Sequence, residues 1–179
     1  MTGNGEKLVN VIQGDYAISD KANEVLTTVL GSCVAVCLSD TKRGIGGMNH
    51  FLLPDRGTGG AGSDNVRYGA YAMELLINGM LKLGADRSNL QAKIFGGANM
   101  MGNLRDIGGS NAAFARQFLK DEGIPCIAES LGGNQARRIR YWPVTGQARQ
   151  LLVQGNIEAE ARPAPPPKPK PAAQDITLF

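Results

Sequence analysis

Several scarcities bound this chain before any motif is read. Aromatic residues make up only 6% of its 179 residues, so a core must rest on Val, Ile, Leu, Met and Ala. No run of about 18 apolar residues occurs, so insertion into a membrane is not expected. The opening stretch, MTGNGEK, lacks the apolar segment of a secretory signal. Cysteine occurs three times, an odd number that suits free thiols better than a disulfide framework. Together these features lead to the expectation of a reducing cytoplasm. The net charge of +3 is too mild to imply nucleic acid, and part of it comes from Lys168 and Lys170 near the C-terminus. Histidine occurs once, at position 50.

Glycine is abundant: 24 residues, about twice the usual share. That favours tight turns and close backbone approaches over a helical bundle. From Leu8 to about Val153, short apolar runs alternate with turn signals. Residues 8–12 (LVNVI) and 16–19 (YAIS), split by Gly14-Asp15, read as paired strands. Residues 25–30 (VLTTVL) read as a β-branched strand broken at Gly31. A helix capped by Ser63 or Asp64 runs to about Leu83, carrying Val66, Ala70, Met73, Ile77 and Met80 on one face and stopping at Gly84. Residues 92–95 (AKIF) form a short strand. Ser110 or Asn111 opens a second helix that Gly123 ends. Residues 124–130, 138–142 and 148–153 read as further strands. The expected fold is mixed α/β: a largely antiparallel β-sheet sandwich flanked by two main helices.

One hairpin carries the chemistry. Residues 33–39 read CVAVCLS and 44–53 read GIGGMNHFLL, joined by a polar connection, Asp40-Thr41-Lys42-Arg43. Pairing Ser39 with Gly44 makes opposed residue numbers sum to 83, which sets Cys33 directly opposite His50. Directly opposed side chains have Cβ atoms roughly 4.5–5.5 Å apart and share a face. That is close enough for a thiol to pass its proton to an imidazole. A free cysteine, with a pKa near ~8.5, is a poor nucleophile at neutral pH until such a base assists it. A third polar group usually orients the imidazole, and Asp, Asn or Thr serves. Thr27 stands six residues before Cys33, and Gly31-Ser32 lets the backbone bend between them. The Gly31-Ser32-Cys33 turn also brings backbone N–H groups near the thiol, where they suit an oxyanion. The pairing alone does not separate a catalytic pair from a buried structural cysteine and histidine.

The residues themselves carry a resemblance. TTVLGSCVAVCL followed by GIGGMNHFLLP resembles the signature of the CheD family, the chemoreceptor glutamine deamidases of bacterial chemotaxis. AKIFGGANMM (92–101), IGGSNAAFARQFLKDEGIP (107–125) and ESLGGNQARRIRYWPVTGQ (129–147) are similar to further family segments, so the likeness covers about residues 8–153. It implies a cysteine hydrolase with Cys33 as nucleophile, His50 as base and Thr27 as orienting group. It also implies an α/β sandwich shared with certain deamidating toxins, and no metal or organic cofactor. The partners it implies are the cytoplasmic helices of chemoreceptors and a CheC-type phosphatase. A binding module with secondary or absent catalysis is the rival from another class.

Other patterns give weaker expectations. Gly57-Thr58-Gly59-Gly60-Ala61-Gly62 is formally a dinucleotide fingerprint, but Pro54-Asp55-Arg56 interrupts the strand that should lead into it. Cys33, Cys37, His50 and Cys126 have ligand chemistry for zinc, but two cysteines four apart within a strand do not make the usual knuckle. Cys37 and Cys126 therefore read as buried strand residues. Arg137, Arg138 and Arg140 beside Tyr141 and Trp142 read as a solvated strand edge or a contact to acidic receptor helices. Arg137, which matches a family position, joins Gly31 and Ser32 as a candidate for substrate or oxyanion contact. The deamidase-like domain is expected over residues 1–160. Residues 161–179 then form a proline-rich, extended arm ending in Ile176-Thr177-Leu178-Phe179, an apolar tip that either folds back, frays, or docks on a partner.

Overall fold

The computed structural model describes residues 5–54, 62–100, 106–154 and 176–179. Among these, the strands fall into two sheets of five. The first runs β1 (Lys7–Asn10), β3 (Glu24–Leu30), β8 (Ala136–Trp142), β9 (Gln147–Val153), β10 (Ile176–Leu178). The second runs β2 (Tyr16–Ser19), β5 (Ile45–Asn49), β4 (Val34–Asp40), β6 (Gln91–Gly96), β7 (Cys126–Leu131). Neighbours are antiparallel except β1 with β3 and β6 with β7. Helices α1 (Gly62–Leu83) and α2 (Ile107–Asp121) both pack on the second sheet. The architecture is the expected mixed α/β sandwich with two helices.

The layering explains the burial of β4. All seven of its residues are buried, because the second sheet is covered on both faces. Val34, Val36 and Leu38 meet Met73, Leu76, Met80 and Leu119 of the helices. The alternate residues Ala35 and Cys37 meet Leu26, Leu30, Ile139 and Tyr141 of the first sheet. Each fully buried Leu or Met contributes about 1.5–3 kcal/mol. The Tyr141 hydroxyl, sealed between the sheets, donates to Leu38 O at 2.9 Å, and burial pushes its pKa up.

Both helices stop where expected. Gly84 and Gly123 have φ of +115° and +70°. Each ends its helix with paired bonds back into the last turn: Gly84 N–H to Leu81 O and Ala85 N–H to Met80 O, Gly123 N–H to Lys120 O and Ile124 N–H to Leu119 O. No helix among the described residues is long and apolar enough to cross a membrane.

Several expectations need correction. Residues 8–12 and 16–19 do not pair: β1 joins the first sheet beside β3, and β2 joins the second beside β5. Helix α2 begins at Ile107, not at Ser110 or Asn111, and Asp106 caps it by accepting from Gly109 N–H at 2.8 Å. Gly108, which reads as loop, permits close packing instead. A Cβ there would lie 2.3 Å from Ala98 O and 2.4 Å from Gly97 O. Helix α1 includes Ser63 and Asp64 in its first turn. The glycine-rich stretch 55–61 and the proline-rich stretch 161–174 lie outside the described residues. Cys126 is exposed, because β7 is an edge strand. The arm's tip folds back: β10 pairs with β9, and Phe179 packs edge-on against Phe95 at 5.2 Å between ring centroids.

Candidate active site

The hairpin register differs from expectation by two residues. Ser39 opposes Gly46 and Cys37 opposes Met48, so opposed numbers sum to 85. The turn keeps four residues but moves one place along the chain, to 41–44, because Asp40 extends β4 and pairs with Ile45. A shift of two preserves the face of every side chain. Val34 and Phe51 exchange both backbone hydrogen bonds, at 3.0 and 2.9 Å. Cys33 and His50, one residue before each, are therefore diagonal rather than directly opposed, and both point toward the first sheet. Diagonal neighbours lie within reach of long side chains.

His50 is 6% exposed, and its Nδ1 is held from the first sheet's side. It lies 2.8 Å from Thr28 Oγ1 and 3.1 Å from Val11 O. The Thr28 hydroxyl itself donates to Val11 O at 2.6 Å. Its proton is thus directed at the carbonyl, and Nδ1 faces two acceptors. That arrangement favours a proton on Nδ1 and leaves Nε2 as the basic nitrogen. Burial lowers the imidazole's pKa, and the Val11 carbonyl raises it by a lesser amount. The imidazole is therefore neutral at neutral pH. Its backbone is fixed by the turn between β1 and β2: Gly14 N–H donates to His50 O at 2.8 Å, and His50 N–H donates to Asp15 O at 3.1 Å.

Thr27 was the expected orienting group, and its hydroxyl does not fill that place. Successive strand residues face opposite ways. Thr28 shares the inner face with Leu26 and Leu30, whereas the Thr27 hydroxyl donates to Ile139 O on β8 at 2.9 Å. Thr27 reaches the site through its backbone, since its carbonyl accepts from Val11 N–H at 2.8 Å and so holds the strand whose carbonyl meets His50. Thr28 was missed because Val25-Thr27-Val29 and Leu26-Thr28-Leu30 are equally apolar faces. Only the covering sheet distinguishes them.

The Gly31–Cys33 turn is fixed through its carbonyls. Gly31 O accepts from Ala98 N–H at 2.9 Å, and Cys33 O accepts from Gly97 N–H at 2.8 Å. Ser32 O accepts from Asn111 Nδ2 at 2.8 Å. Gly96 permits the contact, since a Cβ there would stand 2.2 Å from Cys33 O. The Cys33 thiol is partly exposed and donates to Gln13 Oε1 at 3.5 Å. Cys37 is buried and its thiol is pushed well up by desolvation, so it is inert. Cys126 stands exposed on β7 at the edge of the second sheet, its thiol raised by partial desolvation from its neighbours and by the Glu129 carboxylate.

Arg137 does not lie on a solvated edge. Strand β8 sits between β3 and β9, and Arg137 is 4% exposed. Its guanidinium donates to Ser130 O at 2.6 Å, to Ser130 Oγ at 3.0 Å and to Gly132 O. The loop it grips braces the Gly96–Asn99 turn through Gly132 N–H to Gly96 O and Asn99 N–H to Gly133 O. Arg137 thus reaches Cys33 only through two layers of backbone. Arg138 and Arg140 face solvent, while Tyr141 turns inward, so the basic–aromatic cluster splits between two faces.

Comparison with known proteins identifies the family. A family model described as CheD chemotactic sensory transduction matches residues 52–151. A Caulobacter sp. (strain K31) protein named "Probable chemoreceptor glutamine deamidase CheD" is 56% identical over 173 residues, 96% of this chain and 92% of its own. The chain belongs to the CheD family. A Caulobacter vibrioides CheD of the same name is 54% identical over 96% of this chain and 92% of its own. A Rhizobium leguminosarum bv. trifolii CheD is 52% identical over 91% of this chain and 92% of its own. The CheD family model begins just past His50, whereas the CheD relatives extend over most of the chain. Among solved structures the chain is similar to a Neisseria meningitidis protein at a TM-score of 0.44 and 12% identity, over 72% of this chain and 63% of that one, too distant a likeness to carry chemistry.

Proposed function

We propose that this chain hydrolyses glutamine side chains on chemoreceptors to glutamate, with Cys33 as nucleophile and His50 as base. The observation that carries the reading is the bond set Thr28–His50–Val11. It supports a neutral imidazole whose Nε2 is basic, on the face that Cys33 shares. The substrate comes from the names of the relatives.

The chemistry balances on these groups alone. The Cys33 thiol gives its proton to His50 as sulfur attacks the carboxamide carbon. Backbone N–H groups of the Gly31–Cys33 turn stabilise the oxyanion. His50 returns the proton to the departing nitrogen, and ammonia leaves. Water, deprotonated by His50, then hydrolyses the thioester, releasing a glutamate carboxylate and restoring the thiol. Because burial disfavours the imidazolium, the resting pair is thiol and imidazole, and charge develops as the attack proceeds. The receptor's cytoplasmic helices are the substrate, which puts the work in the cytoplasm.

The family resemblance also implies a CheC-type phosphatase as a second partner. A purely binding role needs neither the His50 bond set nor a thiol at position 33. The experiment measures ammonia release and receptor binding together, for the wild type and Cys33→Ala. Release lost with binding kept supports the enzyme. Binding without release in the wild type leaves the adaptor reading.

A further inference from the structure

We propose that Asn111 is a positioning residue that aims the Cys33 N–H at the oxyanion; the inference rests on the proposed reaction above. Asn111 is fully buried in the first turns of α2. Asparagine is a poor helix-interior residue, since its amide competes with the backbone for hydrogen bonds. Here the amide bridges two segments. Its Nδ2 donates to Ser32 O at 2.8 Å, and its Oδ1 accepts from Leu53 N–H at 3.0 Å. One side chain thus ties the turn before Cys33 to the segment after β5 that carries His50.

The consequence follows from the peptide unit. In a planar trans peptide, a carbonyl and the next residue's N–H point in opposite directions. Asn111 approaches from α2, which packs on the helix side of the second sheet. Drawing Ser32 O toward α2 therefore turns the Cys33 N–H away from it, toward the face where His50 meets Thr28 and Val11. The same logic applies to Gly31 O, drawn to Ala98 N–H, and hence to the N–H of Ser32. The helix can press this close because Gly108 lies against the carbonyls of Gly97 and Ala98. Ser32 is the one link in this clamp held by a side chain, so it is the one a substitution can test.

The test uses the full chain with Asn111→Asp and Asn111→Ala. Asp keeps an acceptor for Leu53 N–H and loses the donor to Ser32 O; Ala loses both. Three quantities are read: deamidation kcat and KM on a receptor fragment, the rate of Cys33 alkylation by iodoacetamide, and the melting temperature. Alkylation needs the thiol and its base but no oxyanion site. Expected for Asp, if folded, and for Ala in any case, is a kcat about 10- to 100-fold lower, with KM and alkylation rate within about twofold. A folded variant with unchanged kcat overturns the proposal. So does alkylation falling in step with kcat, which would make Asn111 a general support of the thiol. If wild-type conversion survives Cys33→Ala, the reaction itself is misassigned and the role of Asn111 falls with it, a result distinguishable from the other two.

Discussion

Thr28 and His50 meet across the two sheets, hydroxyl oxygen to Nδ1 at 2.8 Å, with Val11 O shared between them. The contact spans the sandwich. The imidazole follows β5 of the second sheet and the hydroxyl lies on β3 of the first, so the proposed catalytic geometry depends on the packing between the sheets.

Thr28→Val should lower kcat about 10- to 100-fold, because the ring loses one of the two acceptors that fix its tautomer, and should cost about 1–2 kcal/mol of stability through the lost bond to Val11 O. Thr27→Val should spare the rate. Its hydroxyl serves Ile139 O, so the expected cost is about 1 kcal/mol of stability and a nearly unchanged rate. Deamidation kinetics and thermal melts of both variants check this. A rate loss confined to Thr27→Val would contradict the site as built.

Burial depresses the pKa of His50, and this sets two pH dependences. The unfolded chain titrates His50 near ~6.5, above the folded value. Between the two values the unfolded state binds more protons, so stability rises with pH. This contribution is complete above about 6.5 and is lost as pH falls toward the folded pKa. His50→Gln should remove that component from the melting temperature measured against pH. The acid limb of kcat/KM should also lie below the ordinary histidine value. An acid limb above ~6.5 would mean that the imidazole is not in the buried, neutral state.

Arg137→Lys should cost about 1–3 kcal/mol, because an ammonium does not reproduce the fork that grips Ser130 and Gly132. On a short glutamine peptide the rate of the folded variant should stay close to wild type. A specific rise in KM with stability intact would restore the expectation that Arg137 touches substrate.

Removing Ile176–Phe179 uncovers the β9 edge and one face of Phe95. It also frees Lys93 Nζ, which donates to Phe179 O at 2.6 Å. The truncated chain should be about 1–3 kcal/mol less stable and more prone to self-association through the open edge. Its rate on a free peptide should be unchanged. A rate loss in the fully folded truncation would make the tip part of the site.

Much of this was legible in the sequence, and the failures have physical causes. The strands at 25–30 and 34–40 announce themselves by β-branched and apolar runs, and Gly84 and Gly123 mark the helix ends. Cys33 and His50 were placed on one face despite a register error of two, because only parity decides the face. Parity also explains the miss at Thr27 and Thr28, since both faces of β3 are buried. Gly14-Asp15 looked like a hairpin turn, but its backbone groups bond to His50 instead, and the flanking strands enter different sheets. Arg137 read as surface because charge suggests solvent. Its burial depends on carbonyls of the Ser130–Gly132 loop, which no local pattern shows. Asn111 looked like a helix cap, and its real partners lie 79 and 58 residues away in the chain.

The central claim is that Cys33 carries glutamine hydrolysis through a thioester opened by water. Site-resolved mass spectrometry of a receptor cytoplasmic fragment tests it most directly, with the reaction run in ordinary and in oxygen-18 water. The account predicts a gain of about one dalton per converted glutamine in ordinary water, about two more in labelled water, and none with Cys33→Ala. Conversion by Cys33→Ala at the wild-type rate, or conversion without solvent oxygen, would contradict it.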